Sequence, residues 1–108
     1  MHALAAIAIA LTSGLHGMVM KGPLHPVCRQ GQPCTGPAQV TLLFKRGTRT
    51  YRTRSTAAGV YRITLPAGYY TVKTAERIGI TPNLRPQRIH VRAGHNDLLN
   101  FRIDTGIR

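Results

Sequence analysis

The stretch AAGVYRITLPAGYYTV, residues 57–72, decides the fold class. It holds two alternating segments around a tight turn. Val60 to Leu65 sets Tyr61, Ile63 and Leu65 on one side and Arg62 and Thr64 on the other. Pro66-Ala67-Gly68 follows, and Tyr69 to Ala75 then sets Tyr70 and Val72 against Thr71 and Lys73. A period of two filled with β-branched and aromatic residues is the mark of a half-buried strand, whereas an amphipathic helix repeats near 3.6. Proline presets φ and glycine accepts conformations that a Cβ forbids, so the Pro-Ala-Gly step reads as a turn.

The same pattern extends outward in both directions. Upstream, Leu15 to Lys21 reads as a first strand closed by Gly22-Pro23. Leu24 to Pro37 contains Pro26, Pro33 and Pro37, shows no periodicity and reads as a loop. Gln39 to Arg46 alternates Val40, Leu42 and Phe44 with Thr41, Leu43 and Lys45. Arg49 to Arg54 alternates Tyr51 and Thr53 with Arg52 and Arg54, so Lys45 to Thr48 is expected to be a hairpin tip. Ala57-Ala58-Gly59 is the next turn. Downstream, Glu76 to Pro86 is looser and carries two prolines. Gln87 to Ala93 places Ile89 and Val91 opposite Arg88, His90 and Arg92. Asp97 opens a last strand in which Leu99, Phe101 and Ile103 alternate with Asn100, Arg102 and Asp104. Seven strands at short spacing, with gaps too short for helical crossovers, predict an all-β, antiparallel two-sheet sandwich in one domain over residues 15–108.

The N-terminal stretch MHALAAIAIALTSG is set apart. Its apolar run, Ala3 to Leu11, is far shorter than the about 20 residues a membrane-spanning helix needs. That length suits the apolar region of a signal peptide, and Ala8-Ile9-Ala10 fits a small-x-small cleavage pattern. Residues 1–14 are therefore expected to be a signal peptide, cleaved after Ala10. No Lys or Arg precedes the apolar run, and the alternative is a buried N-terminal helix. Export sets the expected location as secreted, periplasmic or cell-surface.

The cysteines follow from that location. Cys28 and Cys34 are the chain's two cysteines, with five residues between them, in the Pro/Gly-rich loop. In an exported chain an even cysteine count favours a disulfide. A metal site recruiting His25 would lack a fourth ligand and a C-x-x-C clamp. A redox pair would want C-x-x-C at a helix start. Free thiols remain the bland alternative.

Composition narrows the function classes. The chain carries 15 Lys and Arg against three acids, Glu76, Asp97 and Asp104, for a formal net charge of +12. Three carboxylates leave little material for acid–base catalysis or a hard-metal site. Ser13 and Ser55 sit in no nucleophile elbow. His16, His25, His90 and His95 show no ligand spacing among themselves. Neither an enzyme nor a bound cofactor or metal is expected. Alternation points Lys45, Arg52, Arg54, Arg62, Lys73, Arg88, Arg92 and Arg102 outward. Such a surface suits an anionic polymer, glycan or lipid surface, and it also keeps a secreted protein soluble. Nucleic acid is disfavoured, because Tyr69 is the lone aromatic expected outside and offers no stacking platform.

Residues 57–72 also resemble the carboxypeptidase regulatory-like domain, a transthyretin-like sandwich of the carbohydrate-binding-like group. The matching residues are Gly59, Tyr61, Leu65, Pro66, Gly68 and Tyr70. The wider layout resembles small secreted bacterial proteins that carry this domain alone. That family often has an acidic residue in the turn before the glycine, where this chain has Ala57-Ala58. In carboxypeptidases the module lies beside the catalytic domain, so the resemblance implies a structural role rather than an activity. Hydroxyisourate hydrolase, another transthyretin relative, ends in Tyr-Arg-Gly-Ser, whereas this chain ends in Thr-Gly-Ile-Arg. The expected function is a non-enzymatic exported module, structural or binding, at an anionic extracellular surface or glycan. The alternative is an accessory module for a separate secreted hydrolase such as a peptidase.

Overall fold

A computed structural model describes residues 12–76 and 83–106. The signal cleavage expected after Ala10 lies outside the described residues. The described chain is all-β. In order it forms β1 (Gly14–Gly22), β2 (Gly36–Pro37), β3 (Thr41–Arg46), β4 (Arg49–Arg54), β5 (Val60–Thr64), β6 (Gly68–Thr74), β7 (Asn83–Arg85), β8 (Arg88–Val91), β9 (Asn96–Leu98) and β10 (Phe101–Asp104). These make a six-stranded sheet around β1 and a four-stranded sheet ordered β4-β3-β6-β8, the two layers of a β-sandwich. The first layer begins before Leu15: Ser13 is buried, and its carbonyl accepts the Leu65 amide.

One expectation is corrected by the pairing. The sheets are not wholly antiparallel, because β1 runs parallel to both β9 and β10. Parallel strands need a long connection, and here the seven strands β2 to β8 and their loops supply it in place of a helix. The number of strands also differs from seven. The last strand expected from Asp97 is divided into β9 and β10, yet both keep one register with β1: Leu15 faces Asp97 and Val19 faces Phe101. Two short segments were not anticipated, namely β2, which bridges Met20 and Lys21, and β7, which pairs with β10. Neither is long enough to show a period.

The alternation in the sequence matches the burial. Leu42 and Phe44 from β3, Tyr61 and Ile63 from β5, Tyr70 and Val72 from β6, and Ile89 and Val91 from β8 are all buried. Phe101 lies at the centre. Phe44 of the smaller sheet meets its edge at 6.1 Å, and Tyr61 of the larger sheet lies at 5.4 Å. Edge-to-face and tilted ring contacts of this kind add to area burial. In the motif that decided the fold, Gly59 takes φ +84° and Gly68 φ +150°, as turn glycines were expected to. A Cβ on Gly59 would fall 2.7 Å from the Val19 carbonyl oxygen.

The β3–β4 turn is tighter than expected. The ladder runs through Lys45 and Arg46, leaving Gly47-Thr48 as a two-residue turn. Gly47 has φ +60° and Thr48 does not have positive φ, which is the type II′ pattern that matches strand twist.

Candidate functional site

The outer face of the four-stranded sheet is assembled by register. Arg52 faces Leu43, and Leu43 faces Lys73, giving one row. The next row is Thr50, Lys45, Thr71 and Arg88. A third brings Tyr69 beside His90. Strand spacing and rise make this a field about 15 Å wide, with rows about 7 Å apart. Lys45, Arg52, Lys73 and Arg88 are all exposed, and none of their side chains makes a hydrogen bond or ion pair among the described residues.

The other expected contacts are exposed but do not all join this group. Arg54 lies on the same face at its upper corner, where its Nη1 donates to Glu76 Oε2 at 2.9 Å. Arg92 lies at the end of the sandwich and donates twice to Asp97, at 3.1 and 2.8 Å. Arg62 and Arg102 stand on the outer face of the six-stranded sheet, opposite His16 and Met20 respectively. The eight cations therefore divide into four unpaired on one face, two neutralised and two on the far side.

Two carboxylates fix this division. Partial burial pushes the Glu76 carboxyl up, but hydrogen bonds outweigh it and hold the group below the usual carboxylate range. The donors are the Thr41 amide at 2.8 Å, the Thr41 hydroxyl at 3.0 Å and Arg54. The Arg92 guanidinium likewise holds Asp97 below its ordinary value.

A second component of the face was missed in the sequence. Tyr69 is 75% exposed, and the His90 ring stacks on it at 4.3 Å with only 12° between planes. Thr71 and Arg88 adjoin the pair, and the four residues line a shallow recess on β6 and β8. Each of the two rings lies at an outward position of its own strand. Only the pairing of Tyr69 with His90 shows that they form one slab.

The remaining candidates take structural places. Ser55 is buried, donates to the Ala38 carbonyl at 2.6 Å and accepts the Val40 amide at 2.8 Å. The Ser13 hydroxyl donates to the Leu65 carbonyl at 2.5 Å. Neither is placed for attack on a substrate. His16 bonds Asn96. Cys28 and Cys34 form a disulfide with Cα atoms 5.5 Å apart, in the exposed loop between β1 and β2. Leu24 donates its amide to the Cys34 carbonyl at 2.7 Å, so the loop is also closed by backbone. Tyr61 and Tyr70 are buried members of the core, and burial pushes both phenols up. Among the described residues no three His, Cys, Asp or Glu side chains come together as metal ligands. No described helix is long and apolar enough to cross a membrane.

No protein-family model matches the chain, and no curated protein matches it. Among solved structures, the Bacillus anthracis TIE protein is similar in fold, with a TM-score of 0.59 and 13% sequence identity. The similarity covers 87% of this chain and 16% of that one, so the chain spans about one sixth of the length of the protein it resembles. At that identity the likeness concerns the β-sandwich alone.

Proposed function

We propose that the protein is an exported, non-enzymatic binding module that holds an anionic glycan or cell-surface polymer on the outer face of its four-stranded sheet. In this reading the segment up to Ala10 directs export, and the sandwich is a carboxypeptidase regulatory-like domain of transthyretin-like type. The observation that carries it is the group Lys45, Arg52, Lys73 and Arg88, four cations on one face that no carboxylate among the described residues pairs with. At physiological salt, charges about 10 Å apart are largely screened, so the face tolerates its own repulsion and still attracts a polyanion. The Tyr69–His90 slab gives a sugar ring an apolar surface beside Arg88. A disulfide accords with an extracellular address.

The test is binding to immobilised polygalacturonate and dextran sulfate, with uncharged dextran as control, across a range of salt. Wild-type protein is expected to bind both polyanions with an affinity that falls steeply with salt. Replacing Lys45, Arg52, Lys73 and Arg88 by Gln should abolish most of that binding and flatten its salt dependence, while the Arg62→Gln/Arg102→Gln pair changes it little. Equal losses from the two sets would show that net charge, rather than this face, does the binding.

A further inference from the structure

Arg46 and Arg49 face each other directly across the Gly47-Thr48 turn. The preceding pair on the same side of the pleat is Phe44 and Tyr51, which belongs to the core side of the hairpin. Arg46 and Arg49 therefore stand at inward positions just past the end of the core, where both are exposed. Like charges directly opposite each other destabilise a ladder. Among the described residues no acid pairs with them: Glu76 bonds Thr41 and Arg54, Asp97 bonds Arg92, and Asp104 lies on β10.

One of the two guanidinia is already fixed. Arg46 Nη1 donates to the Ala67 carbonyl at 2.7 Å. The group lies so close over Gly68 that a Cβ there would fall 2.7 Å from Arg46 Cζ. The Arg49 side chain makes no hydrogen bond or ion pair among the described residues. Thr48, Tyr51 and Pro66 join the two arginines and Gly47 around an open recess.

We propose that this recess binds a tetrahedral oxyanion, a phosphate or a sulfate, between the two guanidinia. A fork held in place by its own neighbours loses little freedom on binding. The donors come from two facing strands, and Thr48 lines the same recess. They serve the three or four oxygens of a tetrahedral group better than the two of a carboxylate. The bound charge also removes the repulsion between Arg46 and Arg49. The recess lies on the opposite side of the hairpin from the Lys45 row, so it stands or falls independently of the polymer-binding face.

The experiment follows backbone amide shifts of the isotope-labelled protein during titration with inorganic phosphate, sulfate, glycerol phosphate and acetate, at ionic strength held constant with chloride. Expected are saturable shifts at Gly47, Thr48 and Arg49 with the tetrahedral anions and weaker binding of acetate. A response to glycerol phosphate identifies an ester as the ligand, and a response to the inorganic ions alone identifies the free anion. Arg49→Gln should weaken binding about tenfold, the worth of one charge-assisted contact. Arg49→Lys, which keeps a charge but loses the fork, should fall between the two. Arg62→Gln on the far sheet should bind as wild type does. Without added anion, Arg49→Gln should melt no lower than wild type, since it removes a repulsion. Shifts that never saturate, saturable shifts that Arg49→Gln leaves unchanged, acetate binding as tight as phosphate, or a lower melting point for anion-free Arg49→Gln would each overturn the proposal.

Discussion

Tyr61→Phe removes one oxygen from the core, and its cost can be worked from the break between β9 and β10. A regular parallel ladder continues from the bond of the Leu99 amide to the His16 carbonyl, 2.9 Å, to a bond of the Met18 amide to the Leu99 carbonyl. The second bond is replaced. Asn100 Oδ1 accepts the Met18 amide at 2.9 Å, and the Leu99 carbonyl instead accepts the Tyr61 hydroxyl at 2.5 Å. Tyr61 is 2% exposed, so phenylalanine leaves that carbonyl without the hydroxyl donor in a place water reaches poorly. An acceptor stranded in this way costs about 1–3 kcal/mol. In a domain of this size that lowers the melting temperature by roughly 5–15 °C. Asn100→Ala offers the contrast. Asn100 and Met18 are both exposed, so water can take the Met18 amide, and the cost should be about 0.5 kcal/mol. With Asn100 gone, the Met18 amide is also free to turn to the Leu99 carbonyl. Tyr61→Phe should then cost less in the Asn100→Ala background than alone, by about 0.5 kcal/mol or more. Urea unfolding of the two single variants and the double variant, followed by circular dichroism, measures all three quantities. A Tyr61→Phe protein as stable as wild type, or costs that simply add, would refute the exchange of partners.

Three further outcomes follow from the same structure. Gly17→Ala should cost about 2–3 kcal/mol in urea unfolding, because the new Cβ would collide with the Leu99 carbonyl oxygen that crosses over Gly17 toward Tyr61; a fully stable variant would show that the strands can separate there. Reducing the Cys28–Cys34 disulfide should lower stability by about 2 kcal/mol in the chain-entropy model while leaving the strand signal intact, and unfolding curves that coincide with and without reductant would count against it. Glu76 and Asp97 have folded-state pKa values below their unfolded ones, so the stability they contribute is complete above the unfolded carboxylate range and is lost as pH falls through the folded values. Between neutral pH and about pH 3, wild type should therefore lose more stability than Glu76→Gln, and equal losses would contradict the account of Glu76.

The half-buried strands were legible because each carries its own period of two. Tyr61, Ile63, Tyr70, Val72, Ile89 and Val91 all turn inward as alternation requires. Pairing direction was not legible, since a strand alternates in the same way beside a parallel neighbour or an antiparallel one. The parallel partnership of β1 with β9 and β10 is a property of the whole chain path. The candidate site has the same character. Exposure of Lys45, Arg52, Lys73 and Arg88 could be read strand by strand, but their adjacency depends on Leu43 facing both Arg52 and Lys73, and on Thr71 facing both Lys45 and Arg88. The stacked pair was hidden for that reason too. Arg46 fell in the expected hairpin tip, and only the structure shows the ladder running through it, with Arg46 opposite Arg49 past the end of the core. In a chain with three acids, the positions of those acids decide which cations remain available. Glu76 neutralises Arg54 at the corner of one face, and Asp97 neutralises Arg92 at the end of the sandwich. The Lys45 row and the Arg46–Arg49 tip are among the cations that those two ion pairs leave uncovered, and each gathers more than one of them on one surface.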